Sequence, residues 1–173
     1  MRRRLVLGTV VAAPLGLAAC APPAVKSFAS LASAMTAIAA LADAPARWRT
    51  TGTWSLAQTL NHAAQSIEYS MRGFPAPKSA LFQATVGRAA FAIFDARGEM
   101  SHSLDDPILG APALAADETI EPAVARALQA LRDFEAHRGP LAPHFAYGAL
   151  DKSQYTRAHL MHLANHWTEL KTT

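Results

Sequence analysis

Seven histidines occur among the 173 residues, and three of them, His159, His162 and His166, follow one another at spacings of three and four. In a helix this spacing places all three on one face. His162 and His166, four apart, can point at one metal ion. His159 and His166 stand about 10 Å apart along the axis by helical rise, so all three cannot bind together. The natural third ligand is His62, because metal sites in helical bundles are assembled from side chains on facing helices. Around it Gln58, Gln65 and Tyr69 continue one stripe at steps of three and four, a polar line that implies an inward-facing site in an otherwise apolar helix. Three neutral imidazoles with an open fourth position suit Zn²⁺, Ni²⁺ or Fe²⁺. Such an ion can lower the pKa of a bound water or thiol. Gln58, Asn61, Gln65 and Asn165 are the candidates for orienting the imidazoles from behind.

The spacing does not settle the matter alone, since H-x-x-x-H pairs are common on surface helices. His102 and His144 fall in expected loops, and His137 at an expected helix C-terminus, where the dipole favours a charged imidazole in a structural role. Phe28, Met35, Phe91, Phe94 and Phe134 read as core packing. Trp54 and Trp167 could line a pocket or simply be buried. No G-x-S-x-G, H-E-x-x-H, C-x-x-C, phosphate-binding glycine loop or dinucleotide fingerprint is present, which leaves the histidines as the visible chemistry.

The elements that must position these residues are helical. Phe28, Leu31, Met35, Ile38 and Leu41 recur at helical spacing in a first helix that Ala44-Pro45 breaks. Ser55 with Gln58 forms a capping box that opens a second helix, running to about Met71. Leu81, Val86, Ala89, Phe91 and Phe94 predict a further helix ending near Gly98. Glu99 to Thr119, with Pro107, Gly110 and Pro112, reads as a long ordered loop of the kind that often carries function. A helix over about Pro122 to His137 follows, and a last one opens at Asp151 with Gln154 and continues to about Leu170. No period-2 strand is expected. The whole reads as all-α: an antiparallel four-helix bundle with one inserted helix and a long loop, over residues 27–173.

The N-terminus carries a different message. Arg2, Arg3 and Arg4 precede an apolar run from Leu5 to Ala19, as in a secretory signal, and Leu17-Ala18-Ala19-Cys20 has the small-residue pattern read by lipoprotein signal peptidase. Residues 1–19 are expected to be removed and Cys20, the only cysteine, to carry the lipid, with 20–26 as a tether. Retention of the segment as an anchor is opposed by Pro14, Pro22 and Pro23, and ordinary cleavage near Ala19 would leave a free thiol in an oxidising compartment. The arginines also resemble a twin-arginine signal loosely, so the export route stays open. The basic excess, 16 Lys and Arg against 13 Asp and Glu, is accounted for by the leader's three arginines. With no basic stripe left, nucleic acid is not an expected partner.

Four segments together carry a resemblance: Thr53-Trp54-Ser55-Leu56-Ala57-Gln58-Thr59-Leu60-Asn61-His62, Ser70-Met71-Arg72-Gly73-Phe74-Pro75, Pro143-His144-Phe145-Ala146-Tyr147-Gly148 and His159-Leu160-Met161-His162-Leu163-Ala164-Asn165-His166. From Phe28 to about Trp167 the chain resembles an uncharacterised bacterial family, domain-of-unknown-function family 1569, within the DinB/YfiT-like superfamily of four-helix-bundle metalloproteins. The resemblance implies a divalent metal held by His62, His162 and His166. It also implies metal-bound thiolate or water chemistry on a small molecule, since members include thiol-dependent transferases and isomerases. The chain departs from the pattern at Ile108-Leu109-Gly110-Ala111-Pro112, where Ile-Pro-Gly-Ala-Pro would be expected.

The expectation is therefore an exported lipoprotein on the periplasmic face of the envelope, at the outer membrane if the host is Gram-negative, acting as a metal-dependent transferase or hydrolase. His144, Tyr147 and His159 are its candidate acid/base or substrate-positioning groups. A non-catalytic metal-binding scaffold lipoprotein with a closed site is the alternative, and an interaction module without metal, its imidazoles dispersed, a third.

Overall fold

The computed structural model describes residues 26–173; the leader, Cys20 and most of the tether lie outside the described residues. The chain is mostly helical. Helix α1 (Leu31–Asp43) starts where Ser30 and Ser33 exchange side-chain and backbone hydrogen bonds, and it buries Leu31, Ala34, Ile38 and Leu41 at helical steps. The expected capping boxes open α2 (Leu56–Arg72), at Ser55 and Gln58, and α6 (Lys152–Trp167), at Asp151 and Gln154. Such a cap is worth about 1 kcal/mol. Helix α5 (Ile120–Ala136) buries Ala123, Val124, Ala127, Leu131 and Phe134.

Helix α2 packs against α5 and α6, and α1 packs against α5 and α6. The two histidine-bearing helices are covered on nearly every side: α2 is buried without a break from Thr59 to Ile67, and α6 from Ala158 to Ala164. A helix buried all round needs cover on its non-helical side as well. Here the loop over 99–119 supplies it, seated by the buried side chains of Met100 and Ile108. Over Ile108-Leu109-Gly110-Ala111 the loop makes a tight turn in which Gly110 adopts φ +78° and the Ala111 N–H donates to Ile108 O at 2.9 Å.

Between α2 and the loop, α3 (Ala80–Phe82), a π-helical stretch (Gln83–Gly87) and α4 (Arg88–Arg97) run on as one helix, ended by Gly98 in the left-handed conformation. Its π stretch presses on the segment after α5. A Cβ on Gly87 would lie 1.8 Å from Ala146 O, and the Gln83 side-chain amide donates to Phe145 O at 3.1 Å. That segment folds into a tight turn in which His144 and Gly148 exchange backbone hydrogen bonds, with Gly148 at φ +76°.

The expectation of no strand is corrected by a small antiparallel pair. β1 (Trp48–Thr50) lies against β2 (Leu170–Thr172) in the register Trp48↔Thr172, Arg49↔Lys171, Thr50↔Leu170. The last helix consequently stops at Trp167 rather than near Leu170, which is buried in β2 instead. Three residues are too few to show an alternating pattern, and the pairing is between segments far apart in the chain. Among the described residues, no helix is long and apolar enough to cross a membrane.

Candidate metal centre

Helix α2 contributes His62 and α6 contributes His162 and His166, and their ring nitrogens face one another. His162 Nε2 stands 3.2 Å from His62 Nε2 and 3.1 Å from His166 Nε2, and one ligand atom from each residue lies within 4.8 Å of the others. The rings meet edge to face, with interplanar angles of 71°, 64° and 71° around the trio. Two nitrogens at about 2.0–2.1 Å from one tetrahedral ion would be about 3.3 Å apart, close to both separations.

The chemistry of the donor set also fits a cation. A ring nitrogen of neutral imidazole offers either one N–H or one lone pair. His162 Nε2 can therefore satisfy one of its two neighbours, leaving the other contact to compete for the same hydrogen or lone pair or to set like against like. Protonation does not relieve the conflict. Burial first, and then the charge of His102, holds His62 down to about 4; burial, with His62 and His102, holds His166 down to about 3; and burial pushes His162 well below its ordinary value. Neutral imidazoles are the ligating form, and an ion at their common focus would engage all three lone pairs.

The four polar residues expected to orient these rings do something else. Gln58 accepts from the Ser55 N–H and donates to Leu114 O, Gln65 donates to Pro112 O at 3.0 Å, and Asn61 donates to Glu118 at 2.7 Å while accepting from Arg126, itself paired with Glu68 through two hydrogen bonds. With its amide oriented to match donors to acceptors, Asn165 donates to Met100 O and accepts from the backbone N–H of His102. None of the four meets an imidazole nitrogen, and Nδ1 of both His62 and His166 is buried without a partner. The polar stripe of α2 instead holds the 99–119 loop down over the site.

That loop delivers a residue the sequence reading passed over. The His102 ring centroid is 4.9 Å from that of His162 and 5.4 Å from that of His166. Because its Nδ1 contacts Ser103 O, which can only accept, its proton sits on Nδ1 and Nε2 carries a lone pair. Its position in an aperiodic loop left no spacing signal. Of the two tryptophans, Trp54 covers the site, 4.9 Å from His62 and stacked at 13° on His166, whereas Trp167 packs edge-on against Phe28.

Beside the trio lies a cavity of about 490 Å³ whose walls include His62, His162 and His102 together with His144, Tyr147 and His159. Neighbouring hydrogen bonds fix two tautomers in it. His144 Nδ1 accepts from the backbone N–H groups of Ala146 and Tyr147, both at 3.2 Å, so its proton is on Nε2. The Ser70 hydroxyl donates to Ile67 O, so the 3.3 Å contact between Ser70 and His159 Nε2 has the imidazole donating, and the lone pair of His159 is on Nδ1. Burial holds both imidazoles near 3 and pushes the Tyr147 phenol up to about 12. Tyr147 stacks on His144 with centroids 4.2 Å apart. As its spacing requires, His159 lies off the trio.

Residues 24–173 match a family model described as "Protein of unknown function (DUF1569)". No curated protein and no solved structure matches.

Proposed function

The chain belongs to the DUF1569 family, and from its histidine centre we propose that it is a metal-dependent enzyme acting on a small molecule, as a transferase or hydrolase, with His62, His162 and His166 holding one divalent ion. The observation that carries this reading is the convergence of three Nε2 atoms beside a cavity large enough for a substrate, two of the three, His62 and His162, standing in its wall. An ion there would supply Lewis acidity and lower the pKa of a bound water or thiol. The chain's own groups divide the remaining work: His144 offers an N–H, Tyr147 a protonated phenol, and the lone pairs of His159 and His102 accept. The long helices α1, α2, α5 and α6 are then the four helices of a DinB-like bundle, with α3–α4 as the insertion. In the same reading Cys20 is acylated and the domain faces the periplasm.

A closed scaffold site is the less supported alternative, because the ligand group among the described residues has three members and opens on a cavity. Metal content by mass spectrometry of the purified domain, beside a His162→Ala/His166→Ala double variant, tests the centre. About one divalent ion per chain, lost in the variant, is expected; a wild type that binds added Zn²⁺ or Ni²⁺ no better than the variant overturns it. Turnover in a panel of thiol-transfer and hydrolysis substrates, dependent on the loaded ion, separates enzyme from scaffold.

A further inference from the structure

The helix formed by α3, the π stretch and α4 packs on the body through one side and turns the other to solvent. That outer side is apolar. Leu81, Val86 and Ile93 are 75%, 59% and 50% exposed, and Ala89, Ala92 and Ala96 are exposed along the same side. Its exposed charges are Arg88 and Arg97. Asp95, the one acidic residue of the helix, turns onto α6 to pair with Arg157. A solvent-facing helix side with large apolar residues, cationic flanks and no free carboxylate is unusual on a soluble surface and matches what a helix lying in a membrane interface presents.

The chain's own connectivity says what covers it. Lys26 pairs with Glu99 at 2.9 Å, immediately beyond the C-terminal end of α4, and Phe28 is fixed against Trp167. From Cys20 to Lys26 is six residues, a reach of at most about 20 Å. A lipid on Cys20 therefore holds a bilayer surface close to the end of this helix.

The geometry points to the outer face of α3–α4 as a membrane-docking surface that seats on anionic phospholipid headgroups when the chain is anchored through Cys20. This rests on the lipoprotein reading proposed above. Leu81, Val86 and Ile93 enter the headgroup boundary, and Arg88 and Arg97 meet the phosphates. The domain thus lies in a fixed orientation on the membrane rather than swinging on its tether.

The test uses the full chain, produced in an acylating bacterial host and placed in vesicles of phosphatidylethanolamine and phosphatidylglycerol. Cys20 is the only cysteine, so acylation is first read as the failure of the parent protein to take up a maleimide. An environment-sensitive label is then attached at Ile93→Cys or, for comparison, at Gln129→Cys on α5, whose main neighbours are α1 and α2. A blue shift and several-fold stronger quenching by lipid-borne nitroxides at position 93 than at 129 is expected, abolished by Leu81→Asp/Val86→Asp while the protein stays on the vesicles. Equal, water-like signals at both positions in an acylated protein overturn the docking face and leave the lipoprotein reading intact. A parent chain that reacts with maleimide overturns both. Shielding of position 93 in detergent-free solution, accompanied by a dimer in sedimentation, would assign the face to a second copy and overturn the membrane.

Discussion

What each histidine can do follows from which of its nitrogens a neighbour has already taken. His62, His162 and His166 turn Nε2 toward one point, whereas His102 contacts Ser103 O through Nδ1 and rides on the loop. Replacing a ligand and replacing the loop residue should therefore differ: His62→Ala is expected to weaken metal binding by about 100-fold or more, beyond the loss typical of an outer partner, while His102→Gln keeps one ion per chain. Metal titration with a competing chelator measures both, and equal losses would make His102 a ligand. Away from the trio, His144 and His159 add to the acid sensitivity that the buried neutral imidazoles of His62 and His166 already give the metal-free chain. Burial holds His144 and His159 near 3, against 6.5 in the unfolded chain. Between those values the unfolded chain binds protons that the folded chain refuses. The fold is thus at full strength above about pH 6.5 and weakens as the pH falls toward 3, by about 1.4 kcal/mol per pH unit for each histidine. Urea midpoints of the metal-free chain should drop from pH 7 to pH 5, and His159→Gln should make the decline shallower; an unchanged slope would mean that His159 is protonated in the fold.

At the scale of elements, the helices were legible because their caps and their three-four spacing are local. Ser55 with Gln58 and Asp151 with Gln154 open α2 and α6 as read, and the histidine cluster follows because two of its three members are one turn apart on the second of these. The rest depends on what lies across from a residue. The polar stripe through Gln58, His62, Gln65 and Tyr69 announces an inward face, yet nothing local says that the amides of Gln58 and Gln65 meet the backbone carbonyls of a loop, and that of Asn61 the carboxylate of Glu118, rather than imidazoles. The β1–β2 pair and His102 escape for the same reason. The π stretch is a case of local sequence serving a distant site, since it brings Gly87 against Ala146 beside His144 and Tyr147. Gly87→Ala should cost about 1–3 kcal/mol through overpacking and shift the NMR signals of His144 and Tyr147. Gly98→Ala, strained at φ +62° but with nothing near its Cβ, should cost about 1–2 kcal/mol and leave those signals in place. Identical spectra for both variants would remove the π stretch from any role in shaping the cavity.

For the molecule as a whole, the histidine trio joins α2 to α6, the two helices that are most nearly buried all round, and an ion held there as proposed would cross-link them. Without an ion, the fold must hold three imidazole nitrogens against one another with at most one satisfactory hydrogen bond at His162, and bury Nδ1 of His62 and His166 without a protein partner. Each unpaired buried polar atom costs about 1–3 kcal/mol. An ion relieves the first of these conflicts in the folded chain and has no comparable site in the unfolded one, so its binding free energy adds to folding. At a free concentration about 100 times the dissociation constant the gain is about 2.7 kcal/mol. For a domain of this size that corresponds to a rise in Tm of roughly 5–11 °C. Thermal unfolding of the domain with Zn²⁺ or Ni²⁺, and again after a chelator, should show the rise and its reversal. The His162→Ala/His166→Ala variant, having lost the focus of the lone pairs, should unfold at one temperature in all three conditions. A wild type whose Tm ignores the metal would mean that the three nitrogens meet only as packing, and the cavity beside them would then have to be explained without an ion.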